Sequence, residues 1–229
     1  RELNCSARLY EYNDCFVPVE DPSVRFETRR LNETDIETTI HTPVGKQVKI
    51  ERTMTTNWHK LDVKREVETE DELKVATWRE EHMTWRWDEE TYQALQAEVG
   101  DLGAPTMFMP RMNVQGLYLD KMGVEKGIYA IIDWQDTVEA FFRAREQSHE
   151  RLIDLINDSP IDIINYGENV HAHTLPPAWF VKYHLPACQR RSERLHAGGK
   201  FVCSHWDGDT GPLLKYAKET GLDGIEAIT

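Results

Sequence analysis

Cysteine is sparse in this sequence, and its four positions (Cys5, Cys15, Cys188, Cys203) form no CxxC pair. A disulfide framework is therefore not expected, and reduced thiols are. Positive charge is in deficit: 27 Lys and Arg stand against 40 Asp and Glu, for a formal net charge of -13. Such a chain lacks the basic face that general nucleic-acid binding needs. Long hydrophobic runs are missing as well. No stretch approaches the apolar length of a membrane span, and no signal-peptide pattern opens the chain. These absences predict a soluble, cytoplasmic protein with no nucleic-acid or membrane partner. There is no internal repeat and no low-complexity tract. The chain opens on Arg1 rather than Met and closes on the strand-like Ile225-Glu226-Ala227-Ile228-Thr229, so both ends are expected to continue in a longer protein.

Bulky apolar material is present. The 229 residues include seven Trp, eight Tyr and seven Phe within a 40% hydrophobic composition. That is enough for one large domain, the expected organisation, or for two small ones. Residues 24–67 alternate apolar and polar side chains around the Pro43-Val44-Gly45 turn, which predicts an antiparallel hairpin or meander. Thr69 with Glu72 three residues on reads as a capping box opening a helix. A second helix is expected from Asp88 to Val99, stopped by Gly100. Trp78, Trp85 and Trp87 read as core and interface packing, with a stacking platform as the other reading.

From residue 104 onward, strand and helix alternate. Strands are predicted at Thr106–Met109, Ile161–Tyr166, Lys200–His205 and Gly224–Ile228. Short helices broken by glycines fill Asn113–Ile132. Long helices fill Gln135–Asn157 and Pro177–Ala197, the latter bent at Pro186, and a further helix spans Pro212–Thr220. This order calls for parallel strands with right-handed crossovers.

In such sheets and barrels, ligands bind at the C-terminal strand ends. Three successive ends carry chemistry: Glu168, then His205 and Asp207, then Glu226. If the strands are neighbours, these four can converge. Imidazole plus carboxylates suits Zn2+, and the same set without a metal suits proton transfer. The quieter readings are a solvated loop pair for His205 and Asp207, and an inter-strand ion pair for Glu226. Met107, Phe108, Met109 and Met112 form either core or the floor of an apolar pocket. Arg111 meets an anionic substrate or pairs with an acid. His171 and His173 read first as loop polarity, with His173 as a secondary ligand contact. Cys203, if buried, is inert.

The stretch Asp162-Ile163-Ile164-Asn165-Tyr166-Gly167-Glu168-Asn169 is followed by Pro177-Ala178-Trp179-Phe180 and Leu185-Pro186. Then come His196-Ala197-Gly198-Gly199-Lys200, His205-Trp206-Asp207-Gly208-Asp209, Thr210-Gly211-Pro212-Leu213-Leu214 and Gly221-Leu222-Asp223-Gly224. In this order, over residues 104–229, the chain resembles the uroporphyrinogen decarboxylase superfamily. It looks closest to the cobalamin-linked, zinc-dependent methyltransferases within it. The hairpin region is similar to their N-terminal insertion.

The resemblance implies a (β/α)8 TIM-barrel type of α/β fold, incomplete at both ends here. In the methyltransferases the matching strand end reads His-x-Cys, and both residues bind zinc together with a later cysteine. His205 matches that histidine, while Asp207 stands where the cysteine is expected. A harder oxygen donor would then need Glu168 or Glu226 beside it, and the later ligand would lie beyond Thr229. The implied activity is methyl transfer between a small substrate or acceptor and a corrinoid (cobalamin) held on a partner protein. His205, Asp207 and Glu168 would be catalytic, His205, Asp207, Glu226 and Glu168 would be the metal ligands, and Arg111, Met109, Asn169 and His173 would contact substrate. A homo-oligomer is a further expectation. Two alternatives stay open. One is decarboxylation of uroporphyrinogen III or a similar metal-free reaction, although Arg8, Arg29 and Arg30 do not match the arginine-rich segment of those enzymes. The other is a truncated binding module without catalysis.

Overall fold

The computed structural model describes residues 11–54 and 60–228. Cys5, Arg8 and part of the predicted meander, at 55–59, lie outside them. Along the chain the elements are β1 (Phe16–Val19), β2 (Arg25–Arg30), β3 (Asp35–Thr42), β4 (Gly45–Thr53), β5 (Lys60–Lys64), α1 (Glu70–His82), β6 (Thr84–Trp87) and α2 (Glu89–Val99). There follow β7 (Thr106–Met109), α3 (Asn113–Gln115), α4 (Val124–Asp133), α5 (Gln135–Asp158), β8 (Ile163–Tyr166), α6 (Pro177–Trp179), α7 (Leu185–Ala197), β9 (Phe201–His205) and β10 (Gly224–Glu226). Among the described residues, no helix is long and apolar enough to cross a membrane.

Contacts divide the chain into two compact units. The first draws on the described residues of Arg1–Val19, Thr84–Gln115 and His149–Thr229, and the second on Glu20–Met83 and Gly116–Ser148. The chain passes between the units four times, once within α5.

The first unit holds a parallel sheet in the order β7-β8-β9-β10. Each strand pairs with the next one in sequence, so the sheet winds in one direction and has no reversal point. Among the described residues the sheet has these four parallel strands. One face carries Met107, Met109, Ile164, Tyr166 and Val202, all at most 2% exposed, packed with Leu152, Ile153 and Ile156 of α5. The antiparallel pair β1-β6 belongs to this unit and brings Phe16 edge-on to Trp87 at 5.0 Å. Trp85 and Trp87 pack against the core cluster.

Two helical stretches depart from the sequence expectation. The predicted Pro177–Ala197 helix is α6 and α7 joined by a π-helical turn at Phe180–His184, with Pro186 near the start of α7. Pro186 lacks a donor, and the widened turn just before it absorbs that loss. Residues Gly211–Thr220 form a 3-10 helix.

In the second unit, β2-β3-β4-β5 form an antiparallel meander. The capping box of α1 is present: Thr69 Oγ1 accepts from Glu72 N at 3.2 Å, and Glu72 Oε2 accepts from Thr69 N at 3.2 Å. Gln47 of β4 is buried and donates to the carbonyl of Glu72 at 3.1 Å, which ties the sheet to α1. Arg79 meets Glu20, Gln47 and Glu66, and Lys121 reaches Glu66 at 2.9 Å. Gly127 is required by close approach, because a Cβ there would stand 2.4 Å from the Tyr118 ring.

Candidate active site at the strand ends

Side chains alternate along a strand. With Met107, Tyr166 and Val202 turned to the core, Phe108, Asn165, Cys203, His205 and Glu226 share the opposite face. The register sets Phe108 beside Asn165, Asn165 beside Cys203, and His205 beside Glu226. Main-chain bonds continue past the strand ends: Asn169 N donates to His205 O at 3.1 Å, and Trp206 N donates to Glu226 O at 3.0 Å. Trp206 anchors the turn after β9. It is fully buried, its indole N–H donates to Ser204 Oγ at 3.0 Å, and Phe180 meets it edge-on at 5.7 Å.

A cleft of about 450 Å3 opens here, lined by Phe108, Arg111, Gly167, Asn169, His205, Glu226 and Ala227. The His205 imidazole lies between two carboxylates. Its Nδ1 is 3.2 Å from Glu226 Oε1, and its Nε2 is 3.6 Å from Asp207 Oδ2. Each carboxylate is held in turn: Asn165 Nδ2 donates to Glu226 Oε1 at 2.6 Å, and Asn169 Nδ2 donates to Asp207 Oδ2 at 3.0 Å. Among the described residues, Asn169 (φ 48°) and Ala227 (φ 58°) are the non-glycine positions with left-handed backbone, and both line this cleft. Such conformations persist only where surrounding structure enforces them.

His205, Asp207, Glu226, Asn169 and Arg111 are thus brought together. The other candidates are placed elsewhere. Glu168 is fully buried, and its Oε1 accepts the backbone N–H of Met112 at 2.9 Å. Met109 is 2% exposed in the core, because Phe108 takes the cleft side of β7 and alternation turns its neighbour away. His173 is on the surface, 3.5 Å from Asp209, with its ring 5.1 Å from that of His171. Sequence reasoning overlooked Asn165 as a functional residue. Its signal was an amide inside the otherwise apolar run Ile163–Tyr166. Ala227 carried no signal, since its backbone angle is not written in its residue type.

Burial also shifts Tyr166 and His184. The Tyr166 hydroxyl is pushed well above its ordinary pKa by burial and by the thiol of Cys188. His184 is driven down to about 3 by burial, helped by the Arg191 guanidinium.

No protein-family model matches the chain, and no curated protein matches it in sequence. Among solved structures it is similar to a methyltransferase from Methanosarcina mazei, with a TM-score of 0.53 and 14% sequence identity. The match covers 76% of this chain and 51% of that one, so the chain spans about half the length of the structure it resembles. A likeness at this identity is one of fold. It bears out an α/β fold with helices around a parallel sheet.

The donor set can be tested for a divalent ion. Two ligands bonded to one zinc at roughly 2.0–2.2 Å in tetrahedral geometry stand about 3.3–3.6 Å apart. His205 Nε2 and Asp207 Oδ2 have that separation. Glu226 takes the other ring nitrogen, so with this ring orientation it does not share an ion bound at Nε2. It does hold the ring as carboxylates behind metal-bound histidines do. Among the described residues, no group of three or more His, Cys, Asp or Glu is placed to hold a metal. His205 and Asp207 thus offer two donors at a suitable spacing, and the described residues supply no third beside them.

Proposed function

We propose that this cleft is the active site of a methyltransferase of the uroporphyrinogen decarboxylase superfamily. It would move a methyl group between a small methylated substrate or acceptor and a corrinoid carried by a partner protein. The observation that carries this reading is the His205 ring at the strand ends, fixed by Glu226 at 3.2 Å and facing Asp207 at 3.6 Å. The fold likeness to a methyltransferase supports it.

His205 Nε2 and Asp207 Oδ2 would hold Zn2+, with Glu226 and Asn169 keeping the two donors in place. Bound there, zinc supplies Lewis acidity toward the heteroatom that takes or releases the methyl group. Glu226 orients the imidazole through Nδ1, and Asn169 restrains the Asp207 carboxylate. Arg111 offers a guanidinium to an anionic group of the substrate, and Phe108 supplies an apolar wall for the methyl carbon. In the transfer, the nucleophile's electron pair forms the new bond to carbon, and the departing atom keeps the pair of the bond that breaks. Decarboxylation of a polycarboxylate is less well served, since among the described residues lining the cleft Arg111 is the one Lys or Arg.

Zinc titration and metal analysis of the purified protein test this. The wild type should bind one zinc per chain, and His205→Ala and Asp207→Ala should each lose it. Methyl transfer between methylcobalamin and a thiol, followed by absorbance, should fall in the same variants. Equal zinc content in all three proteins would sink the proposal.

A further inference from the structure

Asn165 is an amide where a parallel strand calls for an apolar side chain. Its neighbours on β8 are Ile163, Ile164 and Tyr166, and it is fully buried. Its Nδ2 donates to Glu226 Oε1 at 2.6 Å, while its Oδ1 has no hydrogen-bond partner among the described residues. The flipped amide would set an oxygen against a carboxylate oxygen, so chemistry decides which end faces Glu226. A buried amide with one end unpaired weakens the fold, and leucine would fill a similar volume without that cost. The bond that Asn165 does make ends on the same oxygen that meets His205 Nδ1 at 3.2 Å.

We infer that Asn165 is a positioning residue for His205, acting through Glu226. The inference deepens the methyl-transfer reading and rests on it for the ion, but the relay itself operates in the zinc-free chain. A carboxylate oxygen has two lone pairs. Asn165 takes one and leaves the other for the ring N–H. The imidazole then carries its proton on Nδ1 and turns the Nε2 lone pair toward Asp207, the arrangement a ligand histidine needs. Without the amide, Glu226 Oε1 loses the donor that fixes it beside the ring, and the hold on the His205 tautomer weakens.

Two variants of the full chain test this. Asn165→Leu keeps the size and removes the donor. Asn165→Asp keeps the shape and turns an acceptor toward Glu226. The first readout needs no metal: long-range proton–nitrogen correlation of the His205 ring in zinc-free protein at alkaline pH. The wild type should show the proton on Nδ1, and both variants should move it to Nε2. The second readout is zinc affinity by competition with a chromophoric chelator. It should fall roughly 10- to 100-fold in both variants, the range for partners that orient a metal ligand. If the leucine variant does not fold, the aspartate variant decides alone. A wild-type tautomer and wild-type affinity in the folded variants overturn the inference, as does a wild-type ring protonated on Nε2. A ring that responds to Asn165 in a protein that binds no zinc upholds the positioning role and overturns the zinc site instead.

Discussion

Met112 donates its backbone N–H to Glu168 Oε1 across 2.9 Å, inside the first unit. The bond ties the loop after β7 to the end of β8, next to the cleft wall formed by Arg111 and Gly167. A buried N–H left without its acceptor costs about 1–3 kcal/mol. Glu168→Ala should therefore lower unfolding free energy by about that amount. Glu168→Gln, which keeps an acceptor oxygen, should recover most of it. Both variants should keep wild-type zinc affinity. A Glu168→Ala protein that loses zinc while keeping its stability would show that this carboxylate serves the cleft.

Glu66 in the second unit gives the fold an acid-sensitive point. Burial pushes its pKa up, but Lys121 and then Arg79 more than reverse this and hold it down to about 2. The ordinary value is 4.5, so the folded state binds this proton less readily than the unfolded chain. The stabilisation is complete above about 4.5 and is lost as pH falls from there toward 2. A depression of that size corresponds to on the order of 3 kcal/mol. Urea unfolding across this window should show a decline that Glu66→Gln flattens. At neutral pH the same substitution should lower stability, because Lys121 loses the carboxylate it pairs with and Arg79 loses one of its two, keeping Glu20. An unchanged pH profile in the variant would place the acid sensitivity on other groups.

His184 should act in a higher pH window. Its ring lies 5.0 Å from that of Phe180, and neither ring nitrogen has a hydrogen-bond partner among the described residues. Burial, then Arg191, lowers its pKa to about 3 from an ordinary 6.5, so it is neutral in the fold. The unfolded chain takes up the proton first. Stability is therefore full above about 6.5 and falls as pH drops toward 3. His184→Leu removes the titrating group and the unpaired nitrogens together. It should match or exceed wild-type stability at neutral pH and decline less on acidification between those values. A large loss at neutral pH would reveal a buried partner for the imidazole.

Much of this architecture was legible because it rests on periodicity and capping. The capping box at Thr69 and Glu72, the core helix α5 and the four parallel strands follow from residue spacing; that His205 and Glu226 sit on adjacent strand ends came from the strand pairing. Side-chain direction was less legible. Glu168 follows β8 as His205 ends β9, yet the turn at Gly167 sends its carboxylate to Met112. Met109 and Phe108 are equally apolar, and only the strand's alternation decides that Phe108 takes the cleft. Asn165 went unnoticed within an apolar strand, because its partner Glu226 comes from another element. The π-helical turn before Pro186 was out of reach, since spacing along one helix does not show how a lost donor will be absorbed.

Ala227 offers the most direct test of whether the cleft stores strain. Its φ of 58° is left-handed, a region that costs an L-residue roughly 1–2 kcal/mol and glycine little. Glycine also enlarges the entropy of the unfolded chain, which offsets part of the relief. Ala227→Gly should therefore raise stability by about 0.5–1 kcal/mol, a gain of a few degrees in Tm for a chain of this size. The same change loosens the residue after Glu226, whose carbonyl accepts from Trp206 N at 3.0 Å and whose carboxylate meets His205. Zinc affinity should fall as Tm rises. Melting curves and zinc titration of the one variant give both signs at once. If stability and affinity rise together, the left-handed backbone is incidental to the site. If they move in opposite directions, the strain at Ala227 holds Glu226 against the His205 ring.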